Sequence, residues 1–362
     1  MLFYAINLVI IFLYWLIIKS QYKDIIRGNG VFLSLVFIHF FIIEGFRSLD
    51  FGQDVWYQDL FRASASLSWK DVPNFNRYLF FKAEIGYVAF NKLLNYISKD
   101  VQILYIAVSA IYLSAVYSLL KKYSYTPILS VFLFFIVFWF QSFYVLRQYV
   151  ALSFILMSVP FIIQRDIVKF GSLLLLAFFF HQSSIIFVPM YFLYVYHLRL
   201  STKGILIFLL STIAISIAID KILGFAVGTL SGYDSYIDRK VTTDGNFKMA
   251  LVYLFYLLIY AFLSARTEIE TKLENFFFKL LCIAFVLQFA GRNFVLMQRL
   301  NVYFSFSLMM VIPYLVKMIK NKVFKFAFIA FTLMLYTYIM FLDFEKDRYS
   351  VTPYSSILFK TI

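Results

Sequence analysis

Twelve apolar runs divide this chain, near residues 2–18, 30–46, 101–120, 126–144, 147–164, 167–181, 183–198, 203–219, 249–265, 275–291, 294–316 and 323–342. A bilayer-crossing helix takes about 20 such residues, since its backbone bonds close within the segment while its side chains meet hydrocarbon. The pattern predicts an all-α fold, a polytopic transmembrane bundle of about twelve helices forming one membrane domain over residues 1–362. Twelve helices would use about 240 residues, leaving no room for a separate soluble catalytic domain. Composition agrees: 63% of residues are hydrophobic and only 14% charged, more apolar surface than a soluble domain of this size can bury. The run at 167–181 is short for a span. The first run lacks a basic leader and a small-residue cleavage site, and reads as a retained helix instead of a signal peptide.

Cys282 is the only cysteine, which excludes an intrachain disulfide, a CxxC redox pair and a thiolate metal cluster. His39, His181 and His197 are scattered, so no metal site and no cofactor is expected. The net charge of +14 has a topological explanation. With the N-terminus outside, the short inner loops carry 16 of the 33 basic residues, from Lys19, Lys23 and Arg27 to Lys317, Lys320, Lys322 and Lys325. The inner face is then about +11 and the outer about +3. Cations spread over cytoplasmic turns argue against nucleic acid, which would favour one basic stripe with exposed aromatics.

The polar chain gathers in two outer segments, 47–100 and 220–248, and in the tail from 343. Within the first, EIGYVAFNKLLNYI (Glu84 to Ile97) places Ile85, Val88, Ala89, Leu93 and Tyr96 or Ile97 at helical spacing. It is too short and too polar to span, so it is expected along the outer interface or as a re-entrant helix.

Ionisable groups at the membrane boundary are costly and default to functional candidates. Here they collect at the outer level: Glu44, Arg47, Asp50 and Asp54 around the end of the second run, Glu84, then Arg147 with Gln148 opening the fifth, His181 ending the sixth, and Arg292 and Arg299 at the eleventh. Each has an ordinary alternative. Arg47 could be a snorkelling anchor, Asp54 a turn residue after Gly52, Glu84 a helix cap, and His181 an interfacial group that is simply hydrogen-bonded. Arg299 shares a helical face with Arg292 and Tyr303 and lies about 10 Å further along the axis than Arg292, too deep for easy snorkelling. Collectively the groups describe a cationic cavity for an anionic headgroup, with a lipid diphosphate as the natural ligand, since arginine's planar fork binds phosphate oxygens bidentately. No P-loop, GxGxxG, GxSxG or HExxH motif is present.

The segments FRSLDFGQDVWYQDLF, AEIGYVAFNKLL, LRQYVALSF, FFFHQSS, QRLNVYF and TPY, in that order from about Phe46 to Tyr354, resemble the EpsG family of Wzy-type bacterial polysaccharide polymerases. The resemblance implies a multi-pass membrane glycosyltransferase of the bacterial cytoplasmic membrane, active on its outer face. It would extend undecaprenyl-diphosphate-linked oligosaccharides, as donor and acceptor, into O-antigen, capsule or exopolysaccharide, with a flippase and a chain-length regulator as partners. The matching positions are Arg47, Gly52, Asp54 and Tyr57; Glu84, Gly86 and Tyr87; Arg147 and Gln148; His181 and Ser183; and Arg299 with Tyr303. Arg147 and Arg299, with Arg47 third, are expected on the diphosphate, where preorganised cations stabilise leaving-group charge. The acceptor hydroxyl needs a base, for which Glu84, Asp54 and His181 are available, Glu84 ranking first. A single-sugar transferase or a ligase would use the same cavity. A flippase would want charges at several depths, which the inner halves of the runs lack.

Overall fold

The computed structural model describes residues 2–49, 55–77, 83–196, 198, 202–229, 244–264, 271–290, 295–345 and 352–358. Asp50, Gly52, Asp54, His197, Arg292 and most of the 230–248 stretch therefore lie outside the described residues. Helices dominate: α1 Leu2–Gln21, α2 Ile25–Gly45, α3 Val55–Ser64, α4 Ile85–Ile97, α5 Gln102–Tyr123, α6 Pro127–Ser142, α7 Leu146–Ile163, α8 Ile167–Phe180, α9 Met190–Leu193, α10 Thr202–Thr229, α11 Asp244–Ser264, α12 Lys272–Ala290, α13 Val295–Ser305, α14 Leu308–Met318 and α15 Lys322–Glu345. Among the described residues no strand forms, only an isolated antiparallel bridge between Arg47 and Ser356.

Among the described residues, eight helical stretches are long and apolar enough to cross a membrane, and four shorter apolar ones, Pro127–Ser142, Ile167–Phe180, Gln182–Leu193 and Gly204–Ala218, accompany them. The protein is an all-α polytopic membrane bundle. The twelve apolar runs reappear as helical segments, but not all as full spans. Around 183–198 the chain makes a 3-10 turn, Gln182–Phe187, before the four-residue α9. Pro189 explains the break: it has no N–H to donate and disfavours helical geometry at the residue before it. Run 294–316 is likewise interrupted, between Ser305 and Leu308. α6 contains a π turn at Phe134–Trp139, a local widening frequent near functional positions.

The helices sort into two compact units, Met1–Phe187 with Phe326–Ile362, and Val188–Lys325. In the first, α5 packs on α2 and α7, and α7 packs on α8. Its core is aromatic, with Trp139 and Phe40 rings 4.5 Å apart and Tyr4 edge-on to Phe140 at 4.9 Å. The tail closes onto the end of α2: the Tyr354 hydroxyl donates to the Ile43 carbonyl at 2.9 Å, Ser48 and Ser355 hydroxyls meet at 2.6 Å, and Ile357 N–H donates to the Phe46 carbonyl at 3.0 Å. In the second unit, α12 is the central helix, in contact with α10, α11, α13 and α14. The Lys279 ammonium donates to the carbonyls of Leu193 and Tyr196, which satisfies acceptors left open where α9 ends.

Candidate active site

The clearest grouping of chemistry-bearing side chains is in the first unit, where Glu84, Arg147 and His181 meet. Glu84 is the residue before α4, in extended conformation, and its side chain makes no hydrogen bond to the helix it precedes. The carboxylate turns instead to two partners. Its Oε2 accepts from Arg147 Nη1 at 2.5 Å and its Oε1 pairs with His181 Nδ1 at 2.8 Å. The side chains retain 13% (Glu84), 21% (Arg147) and 18% (His181) of their exposure, so the group is shielded but reachable from outside the protein.

Each element end delivers one member for a local reason. Arg147 is the second residue of α7, where the helix dipole disfavours a cation; the Glu84 carboxylate offsets that. His181 takes extended backbone geometry directly after α8, its N–H still bonded to the Ala177 carbonyl at 2.8 Å, so the ring leaves the helix end. Glu84 can reach it because Gly86 lets α4 press against the end of α8. A Cβ at Gly86 would lie 2.6 Å from the Phe179 carbonyl oxygen and 2.7 Å from its Cβ, closer than atoms can approach.

Aromatic groups complete the setting. The Arg147 guanidinium lies 4.6 Å from the Trp56 ring centroid and donates to the Tyr57 hydroxyl. Tyr57 and Tyr87 meet edge-on at 5.8 Å, and Phe180 packs against Phe90 at 5.6 Å. Although burial alone would raise the Glu84 carboxyl, the hydrogen bond from His181 and the charge of Arg147 outweigh it and hold the group below its ordinary value of 4.5. Glu84 is therefore ionised near neutrality. An ionised carboxylate only accepts, so His181 Nδ1 is the donor in this contact, and in the neutral ring Nε2 is then the nitrogen with the lone pair.

The Glu84 side chain does not cap α4, contrary to the helix-cap alternative, because both its oxygens are turned to Arg147 and His181. Other expected site residues are placed elsewhere. Arg47 is fully buried, its Nη1 donating to the Glu44 carbonyl at 2.9 Å and its Nη2 to the Phe143 carbonyl at 3.1 Å, with the guanidinium 4.0 Å from the Tyr105 ring. The Glu44 carboxylate, also buried, accepts from Trp139 Nε1 at 2.7 Å and Ser142 Oγ at 3.0 Å. Arg47 thus braces the turn between α6 and α7 that leads to Arg147. Gln148 is buried within α7, and Ser183 belongs to the 3-10 turn after His181. Arg299 and Tyr303 are one turn apart on α13 in the second unit, Arg299 exposed and Tyr303 fully buried. Nearby on the same unit, Asn301 Nδ2 donates to Gln288 Oε1 at 2.6 Å. Trp56 was not anticipated; its position beside Tyr57 in the DVWYQ segment was the only signal.

An all-α polytopic fold that brings an arginine, a carboxylate and a histidine together at converging helix ends defines a polytopic membrane protein with a compact cluster of ionisable side chains. The chain matches the EpsG family over residues 30–356, nearly its whole length, and belongs to that family, whose members are polysaccharide polymerases of the Wzy type. No curated protein and no solved structure matches it.

Proposed function

We propose that the protein is a glycosyltransferase that polymerises lipid-linked oligosaccharide repeat units, with undecaprenyl diphosphate as the carrier and the reacting groups on the outer face of the cytoplasmic membrane. The observation that carries this reading is the two-sided use of Glu84, which holds a cation with one oxygen and a histidine with the other. Attack of an acceptor hydroxyl on the anomeric carbon breaks the bond between that carbon and the diphosphate oxygen. The hydroxyl proton must leave and negative charge grows on the diphosphate. His181 Nε2 takes the proton, oriented from behind by Glu84, in the arrangement by which a carboxylate fixes a histidine tautomer. Arg147, locked by Glu84, Tyr57 and Trp56, meets the growing charge with no reorganisation. Glu84, the first choice as base from sequence, is better suited to orienting His181, because both its oxygens are engaged and it binds protons weakly. Arg47, fully buried and donating to backbone carbonyls, positions the turn ahead of Arg147.

The test is reconstitution of the full chain with a purified lipid-diphosphate repeat unit, followed by separation of products by length. A ladder supports polymerisation; a product extended by one sugar and no further, or no product at all, overturns the reading. His181→Ala is expected to lower the rate by about 10²–10⁴-fold, the usual worth of a general base.

A further inference from the structure

The α4 helix buries polar and apolar residues alike, Tyr87, Val88 and Leu94 packing in the core, yet the face it leaves exposed is apolar. Its polar residues Asn91, Lys92 and Asn95 are buried, with Asn95 Nδ2 donating to the Phe61 carbonyl at 3.0 Å and the Lys92 ammonium to the Leu67 carbonyl. Its exposed residues are Ile85, Leu93 (54%), Tyr96 and Ile97 (73%). At 13 residues it is about 20 Å long, too short to cross a bilayer. Its first turn rests on Phe179, through the close approach at Gly86, and Phe179 is itself 40% exposed on α8, next to exposed Leu175 and Leu176. The apolar face of α4 is therefore continuous with that of an apolar helix in a membrane protein. Trp69 and Tyr96, joined by an indole N–H to hydroxyl bond at 3.0 Å, edge this face with the residue types that concentrate at bilayer interfaces.

We propose that lipid covers this face: α4 lies along one leaflet with Leu93 and Ile97 in the acyl boundary, and the bilayer forms one wall of the active site. Glu84 immediately precedes Ile85, and His181 follows Phe179 by two residues, so both sit at the rim of the lipid-covered surface. The Glu84–Arg147–His181 group is then at headgroup depth, where the phosphates of a membrane amphiphile lie, and a lipid-linked substrate reaches it laterally from the leaflet. The placement of α4 is independent of the proposed reaction; the route of the substrate rests on it.

The experiment uses the full chain with Cys282→Ala, carrying Leu93→Cys or Ile97→Cys labelled with a small fluorophore, in nanodiscs. Dibrominated phosphatidylcholine should quench both labels and aqueous iodide should barely affect them. Strong iodide quenching without bromolipid quenching overturns the inference; if lipid-free oligosaccharide released from the host's own repeat units then shields the label, the face is a glycan surface instead. As a second arm, the Leu93→Glu/Ile97→Glu double variant should raise the apparent KM for the lipid-linked unit at least tenfold, while Leu93→Met stays near wild type. Because quenching needs no turnover, its failure sinks this inference alone, whereas a wild-type protein that makes no ladder sinks the polymerase reading and leaves the placement of α4 standing.

Discussion

Glu84 is the residue on which the site's electrostatics turn. Its folded-state carboxyl binds protons more weakly than its ordinary value of 4.5, so the folded state gains from ionised Glu84 at every pH above that value. As pH falls through the lowered folded value, the carboxylate is protonated in both states and the gain disappears. Melting curves in detergent should therefore show Glu84→Gln less stable than wild type near neutrality, by about 1.5–3 kcal/mol for charged hydrogen bonds lost, with the gap closing in strong acid. A gap that persists unchanged at pH 3 would contradict the charge argument. Arg147 tests a different property at the same scale. Lysine retains the charge but not the planar fork that lies beside Trp56 while holding Glu84 and Tyr57. Arg147→Lys is expected to lose about 10²–10³ in kcat with protein still folded, and near-wild-type turnover by this variant would remove the preorganised cation from the mechanism.

At the scale of elements, the site is a convergence of three helix ends, and the contact of α4 with α8 decides whether they meet. Gly86→Ala puts a methyl against the backbone of Phe179, which cannot swing aside as a side-chain tip could. Overpacking of this kind costs about 1–3 kcal/mol, and the helix must retreat, drawing Glu84 from His181. Membrane levels near normal with polymer lost are expected, read by immunoblot and product ladder; intact polymer would mean that the contact is not needed. The apolar runs, the amphipathic 84–97 helix and the polar residues at run ends were legible because hydropathy and periodicity are local. The pairing was not: Arg147 and His181 lie 63 and 97 residues from Glu84, and no pattern in the chain links them. Nor could hydropathy separate Arg47, buried against carbonyls, from Arg147, presented beside a carboxylate, since both follow or open an apolar run. The bridge from the tail at Ser356 to Arg47 has the same character, two short polar segments joined only by the tertiary fold.

For the whole molecule, the distribution of charge makes the sharpest claim. Short loops rich in lysine and arginine stay on the cytoplasmic side because translocating them is unfavourable, and the chain alternates such loops with acidic or neutral ones along its length. That alternation predicts the turn after α3 outside and the turn between α14 and α15 inside. The two turns belong to different compact units, so they test the orientation of each separately. Lys70 and Lys320 are both exposed, and the native Cys282 is buried, so a Cys282→Ala background with one introduced thiol gives a clean report. A membrane-impermeant maleimide applied to intact cells with permeable outer walls should label Lys70→Cys and leave Lys320→Cys unlabelled until the membrane is lysed. Labelling of position 320 alone would invert the molecule and put Glu84, Arg147 and His181 on the cytoplasmic side, where an extracellular polymer could not be assembled. Labelling of both positions would require an odd number of crossings to become even between them, which the mixture of full spans and shorter apolar helices makes a real structural alternative.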